Sequence, residues 1–176
     1  MFKQTKGFTL IETLIAVAVL MIAVAGPLSI SSKALVTALY ARDQSAASYL
    51  AQEEMELIKN RKDNNMQDSG IFIDPYMSPC TTSYCDLDLV PNLTTSCSKS
   101  GLLGCPLYIS SDGTYTHNNS SGTSTVFRRY FTLSKVTNND PRPPSLHEYE
   151  VTVYVLWNTG SVVNAVILHG ELSRAS

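Results

Sequence analysis

Near its N-terminus the sequence has an uncharged run of 20 residues, from Thr13 to Ser32. A helix of this length is about 30 Å long, which matches the hydrocarbon thickness of a bilayer. Lys3 and Lys6 precede the run, and basic residues favour the cytoplasmic side of a membrane. We therefore expect a single-pass membrane protein with a cytoplasmic N-terminus, most of which lies outside the cytoplasm.

A removable secretory signal is the alternative interpretation of this run. Such signals have an apolar region of about 7 to 15 residues and a small-x-small cleavage site. The run here is longer. Residues 23–26 (AVAG) resemble a cleavage site, but Pro27 follows directly and disfavours cleavage. The sequence favours a retained anchor.

The helical pattern continues past the apolar run, because residues 33–65 lack Pro and Gly and are rich in good helix formers. Their apolar residues recur at helical spacing. This stripe consists of Val36, Tyr40, Ala47, Ala51, Met55 and Ile58, with Leu39, Leu50 and Leu57 beside it. We predict one long helix from Phe8 to about Lys62, amphipathic in its second half, in which Glu53, Glu54 and Glu56 form a solvated or subunit-facing surface. Gly26 and Pro27 predict a kink.

Residues 66–125 are rich in turn formers and contain all four cysteines, Cys80, Cys85, Cys97 and Cys105. We predict a loop-rich connection with short strands at 70–73 and 106–109. An even number of cysteines in an exported segment favours two disulfides. Among the three possible pairings we favour Cys80–Cys85 and Cys97–Cys105, because short loops close easily. A zinc site is the alternative, but seven residues separate the second pair, more than is usual for zinc ligands.

Three strand-like runs follow, at residues 126–136, 147–157 and 161–172. The second run alternates clearly, with Tyr149, Val151, Val153 and Val155 on one face. A tight turn at 158–160 and a longer loop at 138–145 predict an antiparallel meander. Its apolar face is expected to cover the helical stripe. The predicted fold class is α+β.

Residues 6–12 read KGFTLIE: a basic leader, Gly, Phe and a Thr-Leu-Ile-Glu tetrad at the start of the apolar helix. This motif resembles the processing site of type IV pilins and pseudopilins, and the layout of the whole chain is similar to theirs. Residues 49–65 resemble the minor-pilin and pseudopilin branch. The resemblance implies cleavage by a prepilin peptidase between Gly7 and Phe8, followed by methylation of Phe8. Further pilin subunits, an inner-membrane assembly platform and the lipid bilayer are the other implied partners.

Glu12 is the only charged residue between Phe8 and Ser32. A carboxylate within hydrocarbon costs a few kcal/mol, so it usually has a partner. The resemblance implies that cleavage creates an amino group at Phe8. Glu12 of one subunit could then pair with Phe8 of its neighbour and set the register of assembly. In the alternative interpretation, Glu12 reaches the membrane interface by itself.

The predicted organisation has five segments. These are a leader at 1–7, a transmembrane or filament-core helix at 8–32, its amphipathic continuation at 33–65, the connection at 66–125 and a sheet at 126–176. The expected function is a structural pilin-like subunit that is processed by an enzyme and is not one. The alternatives are an anchored domain that never polymerises and a membrane-tethered enzyme.

Other candidate chemistry in the sequence is weak. His117, His147 and His169 lie in no recognisable catalytic pattern, and we expect surface or packing roles for them. Arg128 and Arg129 are interpreted as an exposed rung of one strand. No cofactor or metal is expected. The net charge of −2 argues against a nucleic-acid partner, which usually requires a basic excess.

Overall fold

The structure is a computed structural model. It describes residues 7, 9–69, 77–88, 94–97, 105–120, 122–137, 141 and 147–173, without the side chains of residues 29, 66, 68, 69 and 94–97. The predicted strand at 70–73 and nearly all of the predicted loop at 138–145 lie outside these residues. The chain divides into two units, Met1–Arg42 and Asp43–Ser176.

The described elements are one long helix, one short 3-10 helix and seven strands. They are α1 (Leu10–Ser69), the 3-10 helix (Ser78–Thr81), β1 (Tyr84–Leu87), β2 (Thr94–Cys97), β3 (Pro106–Ser110), β4 (Tyr115–Thr116), β5 (Gly122–Lys135), β6 (Tyr149–Thr159) and β7 (Val162–Leu172). All strand pairs are antiparallel. The predicted α+β class, a long N-terminal helix with an antiparallel sheet, is confirmed.

Helix α1 extends further than the sequence predicts, since it ends at Ser69 and not near Lys62. Asn64 lies beyond the predicted end and donates a side-chain hydrogen bond of 2.7 Å to Asn60 Oδ1, one turn earlier. The Asn64 amide is therefore used along the helix surface and not as a cap. The helix also continues through Gly26 and Pro27, where the Ser31 hydroxyl donates to the Pro27 carbonyl. The kink at this point stays a prediction.

Strand β5 is the centre of the sheet. One of its edges pairs with β6 from Arg128 to Lys135, and β6 pairs with β7 over eleven residue pairs. Its other edge is shared by two strands, β3 along the first half and β1 at Phe131. The predicted β5–β6–β7 meander and the predicted strand at 106–109 are confirmed. Strands β1, β2 and β4 were not predicted; they subdivide the segment expected to be loop-rich.

The β6–β7 hairpin turns at Gly160 and Ser161, because Thr159 and Val162 form the closing pair. The sequence predicts this turn at 158–160, so Asn158 and Thr159 were wrongly assigned to it. Gly160 has a φ of 62°, a value that glycine adopts without steric cost. The position of this glycine therefore fixes the turn, and the two residues before it remain in β6.

The second part of α1 packs on one face of the sheet. The helical stripe is buried from Ala47 to Ile58, as predicted, but the prediction is wrong for Val36, Leu39 and Tyr40, which are exposed. It shares a core with sheet residues that include Phe131, Leu133, Val151, Val153, Val155 and Trp157. On β7, a Cβ atom at Gly170 would lie 2.7 Å from Met55 Cε. The absence of a side chain at Gly170 therefore makes room for the Met55 side chain of the helix.

Candidate functional site

The N-terminal motif lies directly before α1. Thr9 starts the helix, because its carbonyl accepts hydrogen bonds from Glu12 N at 3.1 Å and Thr13 N at 3.3 Å. Gly7 precedes the helix, is exposed, and has open space where a Cβ would lie. Phe8, Lys3 and Lys6 lie outside the described residues, so their roles stay predictions.

Glu12 lies in the first turn of α1 and is exposed. The positive end of the helix dipole favours a carboxylate at this position. Among the residues that the structure describes, no basic side chain forms an ion pair with Glu12. Among the described residues, only the N-terminal end of the helix therefore stabilises the negative charge of Glu12.

The apolar residues around Glu12 are not covered by the fold. Leu10 is 79% exposed, and Ile11, Leu14 and Ile15 are also exposed. Among the described residues, α1 is the one helix long and apolar enough to cross a membrane, and none of its apolar stretch is buried. A continuous apolar surface of this size marks contact with a membrane or with another protein.

A second, internal site joins α1 to the sheet. Arg129 and Glu54 are both fully buried, and Arg129 Nε lies 2.9 Å from Glu54 Oε2. Because neither atom satisfies hydrogen-bond geometry, we regard this contact as an ion pair. Both side chains also bond the backbone of Leu87: Leu87 N donates to Glu54 Oε1 at 3.1 Å, and Arg129 Nη2 donates to Leu87 O at 3.4 Å. The pair thus ties α1 and β5 to the end of β1.

The ion pair corrects two predictions. Glu54 was expected on a solvated or subunit-facing surface, and Arg129 on an exposed rung. Both expectations are wrong, because each residue lies on the core-facing side of its element. Glu54 follows Leu50 by one helical turn and precedes Ile58 by another, whereas Arg129 alternates with Phe127 and Phe131. These spacings indicate burial of both residues, whereas the charge of each residue favours exposure.

Beside this pair lies a buried histidine–aspartate cluster. His117 Nδ1 is 3.1 Å from Asp88 Oδ1 and 3.4 Å from Asp86 Oδ2, and His117 Nε2 is 3.2 Å from the Arg129 carbonyl. Asp88 also accepts hydrogen bonds from His117 N and from the Thr116 hydroxyl. Both ring nitrogens face oxygen atoms of the protein, so each has a hydrogen-bond partner. His117 is therefore an internal polar residue, which the sequence did not indicate.

The other two histidines lie elsewhere. His147 is buried just before β6 begins, and the exposed His169 lies on β7, with its Nδ1 3.5 Å from Glu150 Oε1. These positions agree with the packing and surface roles expected for them. In the part of the chain that the structure describes, no group of three or more His, Cys, Asp or Glu side chains is arranged to hold a metal ion.

The pKa values of two carboxylates of the internal site are shifted in opposite directions. Loss of hydration on burial raises the pKa of Glu54 from 4.5 to about 7, although the Arg129 charge opposes this shift. Burial acts in the same direction on Asp88, but hydrogen bonds from His117 and Thr116 outweigh it and lower the pKa of Asp88. The internal site therefore contains charges that the fold must compensate, and it cross-links four elements of the second unit.

The cysteines form disulfides. Cys80 and Cys85 are bonded to each other, as predicted. Cys105 is also disulfide-bonded. The side chain of Cys97 lies outside the described part of the chain, so the Cys97–Cys105 pairing stays a prediction. The Cys80–Cys85 bond closes the turn between the 3-10 helix and β1, and it holds the chain shortly before Leu87.

Comparison with known proteins gives a match at the N-terminus of the chain. Residues 2–26 match the family model described as the prokaryotic N-terminal methylation motif. No curated protein and no solved structure matches the chain. The matched range contains Gly7, Phe8, Glu12 and the apolar run as far as Gly26. The predicted resemblance is thereby confirmed: at its N-terminus this chain carries the prepilin-type methylation motif of type IV pilins and pseudopilins.

Proposed function

We propose that this chain is a structural subunit, a minor pilin or pseudopilin, that assembles into a pilus or a secretion pseudopilus. One observation supports this proposal above all. The methylation motif at residues 2–26 includes the first turns of an apolar helix, and the fold of the chain leaves this helix exposed. A subunit needs such a surface twice, first in the bilayer and then against the helices of its neighbours. We infer no enzymatic activity.

In this proposal the precursor inserts into the inner membrane with its N-terminus in the cytoplasm. Prepilin peptidase hydrolyses the peptide bond between Gly7 and Phe8 and methylates the new amino group of Phe8. The exposed position of Gly7, outside helix α1, is compatible with access to a protease. An assembly platform then moves the subunit from the bilayer into the filament.

Glu12 would set the register of assembly. Its carboxylate has no ion-pair partner among the described residues and lies among exposed apolar side chains. A charge in such surroundings is strongly favoured to find an opposite charge on another chain. The amino group that cleavage creates at Phe8 of a neighbouring subunit is that charge. Any other axial offset would leave both charges unpaired in an apolar core.

The second unit would be displayed on the filament surface or at its tip. The long connection at 66–125, which contains disulfide-bonded cysteines, favours a minor over a major subunit. The alternative is a single-pass membrane-anchored domain that does not polymerise. In that case Glu12 would only occupy the membrane interface, and a neutral residue would replace it without consequence.

The replacement of Glu12 by Leu separates these two functions. The variant would be expressed with its own assembly system, and its amounts in the membrane fraction and in sheared filaments would be compared. We expect normal membrane insertion and at least a tenfold loss from filaments. Glu56→Leu is the matched control, because Glu56 is an exposed glutamate of the same helix outside the apolar run. Incorporation of Glu12→Leu at the level of Glu56→Leu would contradict the proposal.

A further inference from the structure

Strand β7 forms an open edge of the sheet. It pairs with β6 over eleven residue pairs in unbroken register, and within the described residues it pairs with no other strand. Proteins usually protect such edges with Pro, Lys, bulges or short strands. Residues 162–172 contain neither Pro nor Lys, and the regular register shows no bulge. A long, regular and largely apolar edge of this kind is a template for another strand.

The β6–β7 hairpin defines which backbone groups are open. Thr159 and Val162 close the two-residue turn, so this pair is hydrogen-bonded. Hydrogen-bonded pairs recur at every second residue of an antiparallel ladder. The even-numbered residues of β7 therefore bond β6, and the odd-numbered residues direct their N–H and C=O groups to the open edge. These are Val163, Ala165, Ile167, His169 and Glu171, and all five are exposed.

A row of aromatic side chains crosses the outer face of the sheet and reaches the middle of the β7 edge. The rings of Tyr130 and Tyr154 are stacked with centroids 4.9 Å apart, and Tyr84 approaches Tyr130 at 4.8 Å. Tyr154 lies directly opposite Ile167 in the β6–β7 register. The row therefore stops at Ile167, which is 51% exposed. Addition of a strand here would continue the row and cover Ile167.

We propose that β7 pairs antiparallel with β7 of a second copy of this chain, about a two-fold axis at Ile167. Ile167 is the midpoint of Val162–Leu172, so this axis alone keeps all eleven residues paired. Odd-numbered residues then face odd-numbered residues of the other copy. The N–H and C=O groups that β6 leaves unbonded can therefore form hydrogen bonds between the two strands. The aromatic rows of the two copies join through Ile167 and Ile167 of the partner subunit.

The charges of β7 agree with this register. Glu171 faces Val163 of the partner subunit, and His169 faces Ala165 of the partner subunit, so no like charges oppose each other. An axis at His169 would place two histidines opposite each other and leave the first residues of β7 unpaired. An axis at Ala165 would leave Glu171 beyond the paired region. Both shifts keep fewer strand pairs, and the first also brings like groups together.

This pairing goes beyond the proposed function, because it uses neither Glu12 nor the apolar helix. A two-fold contact closes on itself, whereas filament growth requires a head-to-tail contact. The paired form would therefore be a dimer of second units, either before assembly or between subunits of different filaments. An extended segment of another protein is the competing occupant of the edge.

Disulfide trapping tests the register. In a hydrogen-bonded antiparallel pair, facing Cα atoms are about 5.5 Å apart, within the disulfide range of about 4.4–6.8 Å. Ile167→Cys should therefore form a covalent dimer when the full chain in membranes is treated with a mild thiol oxidant. Ala165→Cys is the matched control, since it lies on the same face of the same strand. Its two copies would be offset by four residues, roughly 13 Å along the strand.

We expect at least tenfold more dimer for Ile167→Cys than for Ala165→Cys on a non-reducing gel, with an intact mass of twice the chain. Equal trapping of both variants, no trapping, or an adduct with a different protein would overturn the proposal. A charge without cysteine gives a second measurement: Ile167→Glu should be monomeric in detergent at a concentration where the wild type is dimeric. Equal oligomeric states would overturn the proposal as well.

The Ile167→Cys/Glu12→Leu double variant separates this proposal from the proposed function. Trapping that persists in the double variant supports an edge contact independent of filament assembly. Trapping that disappears shows that assembly, and not β7, brings the copies together, which overturns the edge proposal. Absence of trapping in Ile167→Cys, combined with loss of Glu12→Leu from filaments, would overturn the edge proposal and leave the proposed function supported.

Discussion

Helix α1 contains two glutamates in opposite situations. Glu12, in the first unit, is exposed among apolar side chains and has no ion-pair partner in the described residues. Glu54, in the second unit, is fully buried with Arg129 at 2.9 Å. Both carboxylates lie in apolar surroundings once the chain is in a membrane or folded. They differ in whether the counter-charge comes from the same chain.

This difference separates the charges that stabilise the fold from the charge that the proposed assembly would use. Glu54 and Arg129 compensate each other within one molecule and fix the position of Leu87, so they specify the fold of the second unit. Glu12 lacks such a partner, so its compensation must come from the helix terminus, the membrane interface or another molecule. We therefore expect replacements at Glu54 to affect stability and replacements at Glu12 to affect incorporation into filaments.

The largest effect is expected when Glu54, like Glu12, has no ion-pair partner. In Arg129→Met the buried carboxylate loses its counter-charge, and the loss of such a partner typically costs about 3–5 kcal/mol of stability. Denaturant unfolding of the full chain in detergent at pH 8 would measure it. The fluorescence of Trp157, the single and buried tryptophan, reports on the second unit.

Arg128→Met is the matched control for this change, because Arg128 is the half-buried neighbour on the opposite face of β5. We expect a much smaller loss there. The double variant Arg129→Met/Glu54→Leu should recover most of the stability, since the carboxylate that then loses its Arg129 partner, Glu53, is 35% exposed and keeps part of its hydration. Equal stability of Arg129→Met and Arg128→Met would show that the ion pair does not determine the fold.

A pH titration sharpens the comparison. The pKa of Glu54 is raised from 4.5 in the unfolded chain to about 7 in the fold. The stabilisation from its bound proton is therefore present in full below about pH 4.5 and is lost as the pH rises to about 7. The free energy of unfolding of Glu54→Gln, measured relative to that of the wild type, should therefore increase by up to about 3 kcal/mol as the pH rises across this range, whatever the cost of leaving Arg129 without its partner. A pH-independent difference between the two proteins would contradict this interpretation, and Glu12→Gln should leave Trp157 unfolding unchanged.

The Cys80–Cys85 bond holds the segment that leads to Leu87, the residue that both members of the ion pair contact. For so short a loop, removal of the bond in Cys80→Ser/Cys85→Ser should cost about 2 kcal/mol. The double variant isolates this bond, whereas a reductant would also open the disulfide of Cys105. Unfolding midpoints that coincide for variant and wild type under oxidising conditions would show that the ion pair alone orders this segment.

The smallest expected effect concerns two glycines of the sheet. A Cβ at Gly122 would lie 2.8 Å from the backbone oxygen of Ile109, whereas a Cβ at Gly170 would meet only the end of the Met55 side chain. Backbone cannot give way as a flexible side chain can. Gly122→Ala should therefore cost at least about 1 kcal/mol, and Gly170→Ala clearly less. The reverse order in thermal unfolding would contradict the described packing of the second unit.

The elements with long periodic patterns were predictable. The helix formers of residues 33–65 and the strict alternation of β6 each depend on many residues, so the local signal is strong. Strands β1, β2 and β4 are two to four residues long, too short for a periodic pattern to indicate them, and β1 also pairs with β5, far along the chain. Their pairing depends on tertiary contacts that a local pattern does not contain.

The functional residues show the same division. Gly7, Phe8 and Glu12 lie within a contiguous motif, so the sequence alone suffices to predict roles for them. Glu54 and Arg129 lie far apart in sequence, and each carries a charge that by itself predicts exposure. Only the fold shows that the two buried charges lie side by side and compensate each other. His117 is similar, because Asp86 and Asp88 approach it from a different part of the chain.

The central claim is that Gly7 and Phe8 form a processing site, and intact mass with N-terminal peptide analysis tests it most directly. The full chain would be expressed with its own prepilin peptidase and recovered from the membrane. We expect a mature chain that begins at N-methylated Phe8. An intact Met1, with the peptidase active on a control substrate, or a start near Pro27 would contradict it.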